Sequence, residues 1–367
     1  MLQQNQHETS NYQNEAKPMG EQKKRIEYID LMKGICITLV VLLHCDVVFT
    51  GEYEFCNNYT KVFRMPLYFF LSGLFFKASI RGGGGNFLIK KVNNLIIPYL
   101  FFSLFIIPIH YYHGIDIGNW IYYIYCFLEP YSMPLWFLRS LFIVNILYFL
   151  LSKLTKNIYI RISSCFLISL VAWLTSPILI KNENIYIHWI LFDQNFISSI
   201  FTLPYIAVAD WCRSKNILTY DFSFKRKCMI IIALIMLLMM FTVENFELRT
   251  AMFPENILFF YISSFSGIFL IMMIARIFNK VFFLSYIGRY SLIVLGVHQV
   301  LLKAVIIIVP DIHPYISAII NLACAPIYIY ILKKFFPYFT AQKPLLEYVD
   351  GRIVLPWNRN KYRSEKE

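Results

Sequence analysis

Charge is scarce in this chain. Only 15% of its 367 residues are Asp, Glu, Lys or Arg, against about 25% in an ordinary soluble domain. That shortage excludes a water-soluble globule of this length. Cysteine pairing is missing too. The eight cysteines are scattered, mostly inside apolar runs, and none forms a Cys-x-x-Cys pair. Neither a zinc site nor a disulfide framework is indicated, and small buried apolar residues are the better description. The tetraglycine Gly82 to Gly85 lacks the following Lys-Ser/Thr that a phosphate-cradling loop needs. It is expected to be a flexible hinge in a loop. No internal repeat is visible, and no secretory signal opens the sequence. Residues 1–24 are polar and rich in Gln, Asn and Glu, and are expected to be a disordered cytoplasmic tail.

What is abundant is apolar. Hydrophobic residues make up 58% and aromatics 18%, and mean hydropathy is +0.55. These residues are blocked into runs near 20 long, the length that crosses a bilayer. A helix apolar all round is either buried in a large core or spans a membrane. Ten spans are expected near 31–50, 62–79, 95–112, 135–151, 162–179, 194–211, 228–243, 256–275, 290–309 and 315–332. The shorter, more polar segment 115–133 is read as an interfacial or re-entrant helix ending at the Pro130 and Pro134 breaks. The fold class is therefore an all-α integral membrane bundle of about ten transmembrane helices.

The net charge of +12 does not point to nucleic acid, because the cations sit in short clusters between apolar runs, as topology signals do. One set of loops holds fifteen of them: Lys77, Arg81, Lys90, Lys91, Lys153, Lys156, Arg161, Arg213, Lys215, Lys225, Arg226, Lys227, Arg276, Lys280 and Arg289. The opposite set holds only Lys61, Lys181 and Arg249. Both termini then fall on the cytoplasmic side, which requires an even number of spans.

Ionisable groups inside a bilayer are costly and mark candidate sites. Span 1 carries Lys33 and His44, eleven residues apart. On a helix that spacing puts them about 20° apart around the axis and roughly 16 Å apart along it. Lys33 thus sits at the cytoplasmic rim, and His44 lies deeper on the same face. Snorkelling of Lys33 and a core role for His44 are the bland alternatives. Span 2 brings Arg64 to the layer of His44, where it binds an anionic group, pairs with Asp46 or anchors the outer rim. Ser72 and Gly73 suit close helix packing more than nucleophilic catalysis. Further candidates are Lys90 and Lys91 at the inner mouth, His298 inside span 9, and Trp136 and Arg139 opening span 4.

Three stretches resemble the membrane acyltransferase 3 family, bacterial enzymes that O-acylate sugars. They are IDLMKGICITLVVLLH with its Lys33-to-His44 spacing, MPLYFFLSG from Met65 to Gly73, and KKVNNLIIPY from Lys90 to Tyr99. PLWFL (134–138) and IGRYSLIVLGVHQVLL (287–302) are similar to family segments as well. The likeness runs from about residue 26 to 336. The family's Arg-x-x-Arg at the start of span 3 is here Lys91 and Asn94, so the second charge is lost.

The resemblance implies a membrane acyltransferase domain over 25–338, flanked by the tail 1–24 and a cytoplasmic tail 339–367. It implies transfer of an acyl group, acetyl in the simplest case, from cytoplasmic acyl-CoA to a hydroxyl of a cell-envelope glycan or lipid-linked sugar. Acyl-CoA would be a co-substrate, with no bound cofactor or metal. The setting would be the bacterial inner membrane, with the lipid bilayer and the glycan as partners and no nucleic acid. His44 is then the general base. Lys33, Lys91 and Lys90 meet the phosphates of coenzyme A, and Arg64, Ser72 and Asp46 lie on the acceptor or oxyanion side. A covalent acyl-histidine relay is the rival route. A transporter or flippase for a polar or glycan substrate is the alternative class, although paired broken helices of the transporter kind are not found.

Overall fold

The computed structural model describes residues 26–49, 55–80, 82–112, 135–181, 194–217, 220–240, 246–249, 251–349 and 351–358. The segment expected as a re-entrant helix, 115–133, falls outside them, as do the N-terminal tail and the side chain of Asp46.

The described chain is mostly helical, with one hairpin near its C-terminus. The helices are α1 (Glu27–Phe49), α2 (Phe55–Leu74), α3 (Phe76–Ile80), α4 (Gly83–Lys91), α5 (Ile97–Tyr112), α6 (Trp136–Leu154) and α7 (Ile158–Lys181). They continue as α8 (Gln194–Phe201), α9 (Leu203–Ser214), α10 (Phe224–Met240), α11 (Ile257–Phe278), α12 (Phe282–Arg289), α13 (Ser291–Ile308) and α14 (Pro314–Phe335). Among the described residues, each expected span lies mostly on helix. Seven segments among the described residues are long and apolar enough to cross a membrane. The protein is thus an all-α, multi-pass membrane bundle.

Helix α1 lies at the centre and touches α2, α11, α12, α13 and α14. Its closest neighbour is α12, and glycine makes that approach possible. A Cβ on Gly34 would run into the backbone oxygen of Leu284, and one on Gly288 into the backbone oxygen of Asp30. Small residues let helix backbones close up in lipid, where no hydrophobic force drives them together. Gly288→Ala is therefore expected to cost at least the ~1–3 kcal/mol of an overpacked core, because backbone has no rotamer with which to yield. Thermal unfolding in detergent, compared with wild type, reads that loss.

The MPLYFFLSG stretch has a structural logic of its own. Pro66 sits inside α2 and has no N–H to give the carbonyl one turn back, at Val62. Ser264 of α11 donates to that oxygen instead (2.7 Å), and Tyr205 of α9 donates to the Ser264 hydroxyl (2.8 Å). In a bilayer such replacement bonding is what makes a mid-helix proline tolerable. Gly73 lets α2 press on Ile206 of α9.

Four expectations need correction. The span at 194–211 is two helices, α8 and α9, broken at Thr202 because Pro204 stands in the first turn of α9. The glycine run is not a free hinge. Gly83 takes φ 84°, which glycine tolerates, and Gly83 to Gly85 begin α4. The ring of Tyr348 rests against Gly85. Arg161 is not a loop cation. It is 8% exposed in the first turn of α7 and pairs with Asp210 of α9 at 3.1 Å. Tyr148 of α6 donates to the same carboxylate oxygen at 2.9 Å.

The fourth correction concerns the C-terminal segment. It is no plain tail, because it forms a hairpin, β1 (Glu347–Val349) with β2 (Arg352–Val354), in register Glu347 to Val354. Asn93 fastens it. This buried residue lies in the π-helical turn Val92–Ile96 that joins α4 to α5. Its Oδ1 accepts from the backbone N–H groups of Leu345 (2.8 Å) and Leu346 (2.9 Å), and its Nδ2 donates to the carbonyls of Leu346 (2.8 Å) and Ile89 (2.9 Å). All four hydrogen-bonding sites of the amide are used.

Candidate functional site

His44 and His298 meet in the interior. Their ring centroids are 5.1 Å apart, with the planes tilted by 43°. Each histidine stands on a different helix, α1 and α13, which pack together. The two rings are held differently. His298 Nδ1 faces only carbonyl oxygens, those of Leu295 (2.9 Å) and Val294 (3.1 Å), so that nitrogen carries the hydrogen. This leaves Nε2 as the lone-pair side of the neutral ring. Among the described residues Nε2 has no hydrogen-bond partner, although it is buried. Asn321 of α14 donates to the backbone oxygen of His298 (2.7 Å) and fixes that turn.

The neighbour of His298, Gln299, holds His44, with its Nε2 3.2 Å from His44 Nδ1. An amide offers N–H or C=O to the same ring nitrogen by turning over about its last bond. Gln299 is therefore able to stabilise either neutral tautomer of His44.

His44 opens onto a cavity of about 130 Å³. Helix α2 contributes Lys61 and Arg64 to its wall, and α6 contributes Trp136. The stretch before α11 contributes Glu247 and Arg249. Arg64 is only 6% exposed, and its Nη1 donates to Thr60 Oγ1 at 3.4 Å. Cys36 of α1 donates its S–H to the Arg64 carbonyl (2.7 Å), which clamps α1 to α2 beside the cavity. Arg249 and Glu247 pair at 3.0 Å. Their stretch is pinned by a Glu247–Met252 bridge, by Ser198 donating to the Leu248 carbonyl, and by Trp173 donating to the Pro254 carbonyl (2.7 Å).

The structure brings together four of the residues singled out from sequence: His44, Arg64, Trp136 and His298. It leaves others elsewhere. Ser72 donates across the α2–α6 interface to Asn145 Oδ1 (3.0 Å) and does not line the cavity. Arg139 lies one turn beyond Trp136, half-buried and off the cavity wall. Lys33 is half-buried near the other end of α1, where the Tyr68 hydroxyl donates to its carbonyl (3.3 Å). Lys91 is half-buried over the Phe87 ring, 5.5 Å from its centroid, and Lys90 is exposed.

Gln299 is not among the candidates spacing singles out, although a polar amide beside a histidine inside an apolar run is a usable signal. Lys61 and Arg249, loop charges by sequence, and Glu247, which has no role by sequence, stand in the cavity wall. Nothing in local spacing brings the stretch near residue 247 to His44.

A membrane-embedded bundle with a paired-histidine centre beside a cavity that carries charged side chains defines the general class. The family model of the acyltransferase domain matches residues 26–340, and the chain belongs to the acyltransferase 3 family. Neither the comparison with curated proteins nor that with solved structures gives a match.

Proposed function

We propose that this membrane acyltransferase moves an acyl group, acetyl in the simplest case, from acyl-CoA to a hydroxyl of a cell-envelope glycan, with His44 as the general base. The observation that carries the reading is His44 itself. It stands at a cavity whose wall carries charged side chains, with Gln299 bonded to one ring nitrogen. That leaves the other nitrogen for chemistry.

The step balances as follows. With the Gln299 amide turned so that Oε1 accepts from Nδ1–H, His44 Nε2 takes the proton of the acceptor hydroxyl. The hydroxyl oxygen attacks the thioester carbonyl, the C–S bond breaks, and the imidazolium returns the proton to the leaving thiolate. Base catalysis of this kind typically contributes about 10²–10⁴ in rate. The donor's phosphates are met by Lys33, Lys90 and Lys91 as point charges on the cytoplasmic side. The uninterrupted helix from Glu27 to Phe49 supports a common groove for Lys33 and His44. The bacterial inner membrane, with both termini in the cytoplasm, is the setting this reading requires.

The test is binding and slow hydrolysis of acetyl-CoA by purified protein in nanodiscs, with water standing in for the acceptor. Wild type turns the thioester over, and Lys33→Ala raises KM about tenfold with kcat nearly kept, as loss of one charge-assisted contact predicts. If wild type neither binds nor cleaves any acyl-CoA, the proposal fails. Gln299 gives a second reading of the same assay. Gln299→Leu lowers kcat by about 10-fold or more, in line with other groups that orient a catalytic imidazole. Gln299→Glu keeps more of the rate, because its carboxylate still accepts from Nδ1–H. Equal losses in the two variants would show that the amide only fills space.

A further inference from the structure

We infer that the acceptor taken by the cavity is anionic, a sugar carrying a carboxylate or phosphate. This rests on the reading of His44 as the base that meets the acceptor hydroxyl. Among the described side chains the wall holds three cations, Lys61, Arg64 and Arg249, against one carboxylate, Glu247. Glu247 is engaged by Arg249 at 3.0 Å, and cations outnumber carboxylates on the described wall. Lys61 and Arg64 are three residues apart on α2 and therefore share a helix face.

Arg64 is the most telling of these. A guanidinium at 6% exposure inside a membrane bundle is expensive and marks a function. Its planar fork suits a carboxylate or phosphate. A cation cluster in a low-dielectric cavity concentrates anionic ligands and repels cationic ones.

Position separates this anion from the donor. Lys33 lies eleven residues from His44 along one helix, roughly 16 Å, and Lys90 and Lys91 are on α4. None of these three lines the cavity. Two cation sets at separate places fit two anionic reagents, coenzyme A at one and a charged acceptor at the other. Trp136 adds a flat apolar face to the cavity wall, and such a face suits the C–H side of a sugar ring while the ring's N–H remains a polar handle. The charged substituent would then be fixed by Lys61, Arg64 and Arg249, and a hydroxyl of the same sugar would be presented to His44.

The experiment is equilibrium binding, without any thioester, to wild-type protein in zwitterionic nanodiscs. The probes are methyl glucuronoside, glucose 6-phosphate, uncharged methyl glucoside and free coenzyme A. The expected result is that one or both charged sugars bind about tenfold or more tightly than the glucoside, the gain of a charge-assisted contact. The preference should shrink as salt is raised. Whether the glucuronoside or the phosphate is preferred identifies carboxylate or phosphate as the recognised group. Arg64→Gln should remove most of the preference. Arg249→Gln, at a side chain 38% exposed and so less exposed to misfolding, should reduce it. The inference is overturned if the glucoside binds as well as the charged sugars, or if no sugar binds. It is also overturned if neither variant alters the preference, or if free coenzyme A displaces the charged sugar. Failure of the acyl-transfer reading appears in the hydrolysis assay and not here, so the two are told apart.

Discussion

His44→Ala should reduce thioester turnover by about 10²–10⁴-fold, the usual value of a positioned base, and leave acyl-CoA binding close to wild type. The reasoning is geometric. His44 lines the cavity, whereas His298 is not among the lining residues and its Nδ1 is held by two backbone carbonyls. His298 cannot release its Nδ1 hydrogen without orphaning those contacts, and a ring held by its own helix does not reach into another wall. His298→Ala should therefore cost less than His44→Ala, acting by letting the His44 ring shift. The measurement is kcat and KM for acetyl-CoA hydrolysis in nanodiscs. Equal residual activity in wild type and His44→Ala would remove His44 from the chemistry. Trapping an acylated His44 by rapid quench and mass spectrometry would replace the direct route with the covalent relay.

The second large effect is on stability. Asp210→Ala should destabilise the protein by about 3–5 kcal/mol, the cost of stranding one half of a buried ion pair. Asp210 is 1% exposed and holds both Arg161 (3.1 Å) and the Tyr148 hydroxyl (2.9 Å). Removing it leaves a guanidinium inside the bundle and a phenol without its acceptor. The double change Arg161→Met with Asp210→Leu should recover most of the loss, since apolar replacement of a buried pair is often neutral or better. Thermal unfolding of the single and double variants in one detergent decides it. A single variant as stable as wild type would mean that the pair contributes nothing to the fold.

These two effects also mark where the sequence could be read. The apolar runs were visible because lipid demands about 20 residues per crossing, and their described residues are mostly helical. The break at Thr202 was hidden because composition does not tell a proline that starts a new helix, such as Pro204, from those inside unbroken ones, such as Pro66 and Pro326. Arg161 looked like one more cation of a loop, since spacing cannot tell a rim lysine from an arginine whose partner is 49 residues on. His44, Arg64, Trp136 and His298 were legible as polar or amphipathic groups out of place in apolar surroundings. Gln299 needed the α1–α13 crossing to acquire meaning, and Glu247 and Arg249 needed the whole chain to fold back. The acyltransferase 3 family was legible from the order of three short motifs, whereas the hairpin at 347–354 lies beyond the matched stretch.

That hairpin has a consequence for how the protein is made. Asn93 enters the growing chain early, and its partners Leu345 and Leu346 follow 252 and 253 residues later. At about 5–20 residues per second the ribosome needs roughly 10–50 s to deliver them. Throughout that interval the amide has only the Ile89 carbonyl of its own helix. A chain cut short before residue 345 keeps that polar group unfilled for good. Until Leu345 and Leu346 arrive, the junction of α4 and α5 is held at Asn93 by one hydrogen bond in place of four, so this end of the helix pair is set only late in synthesis.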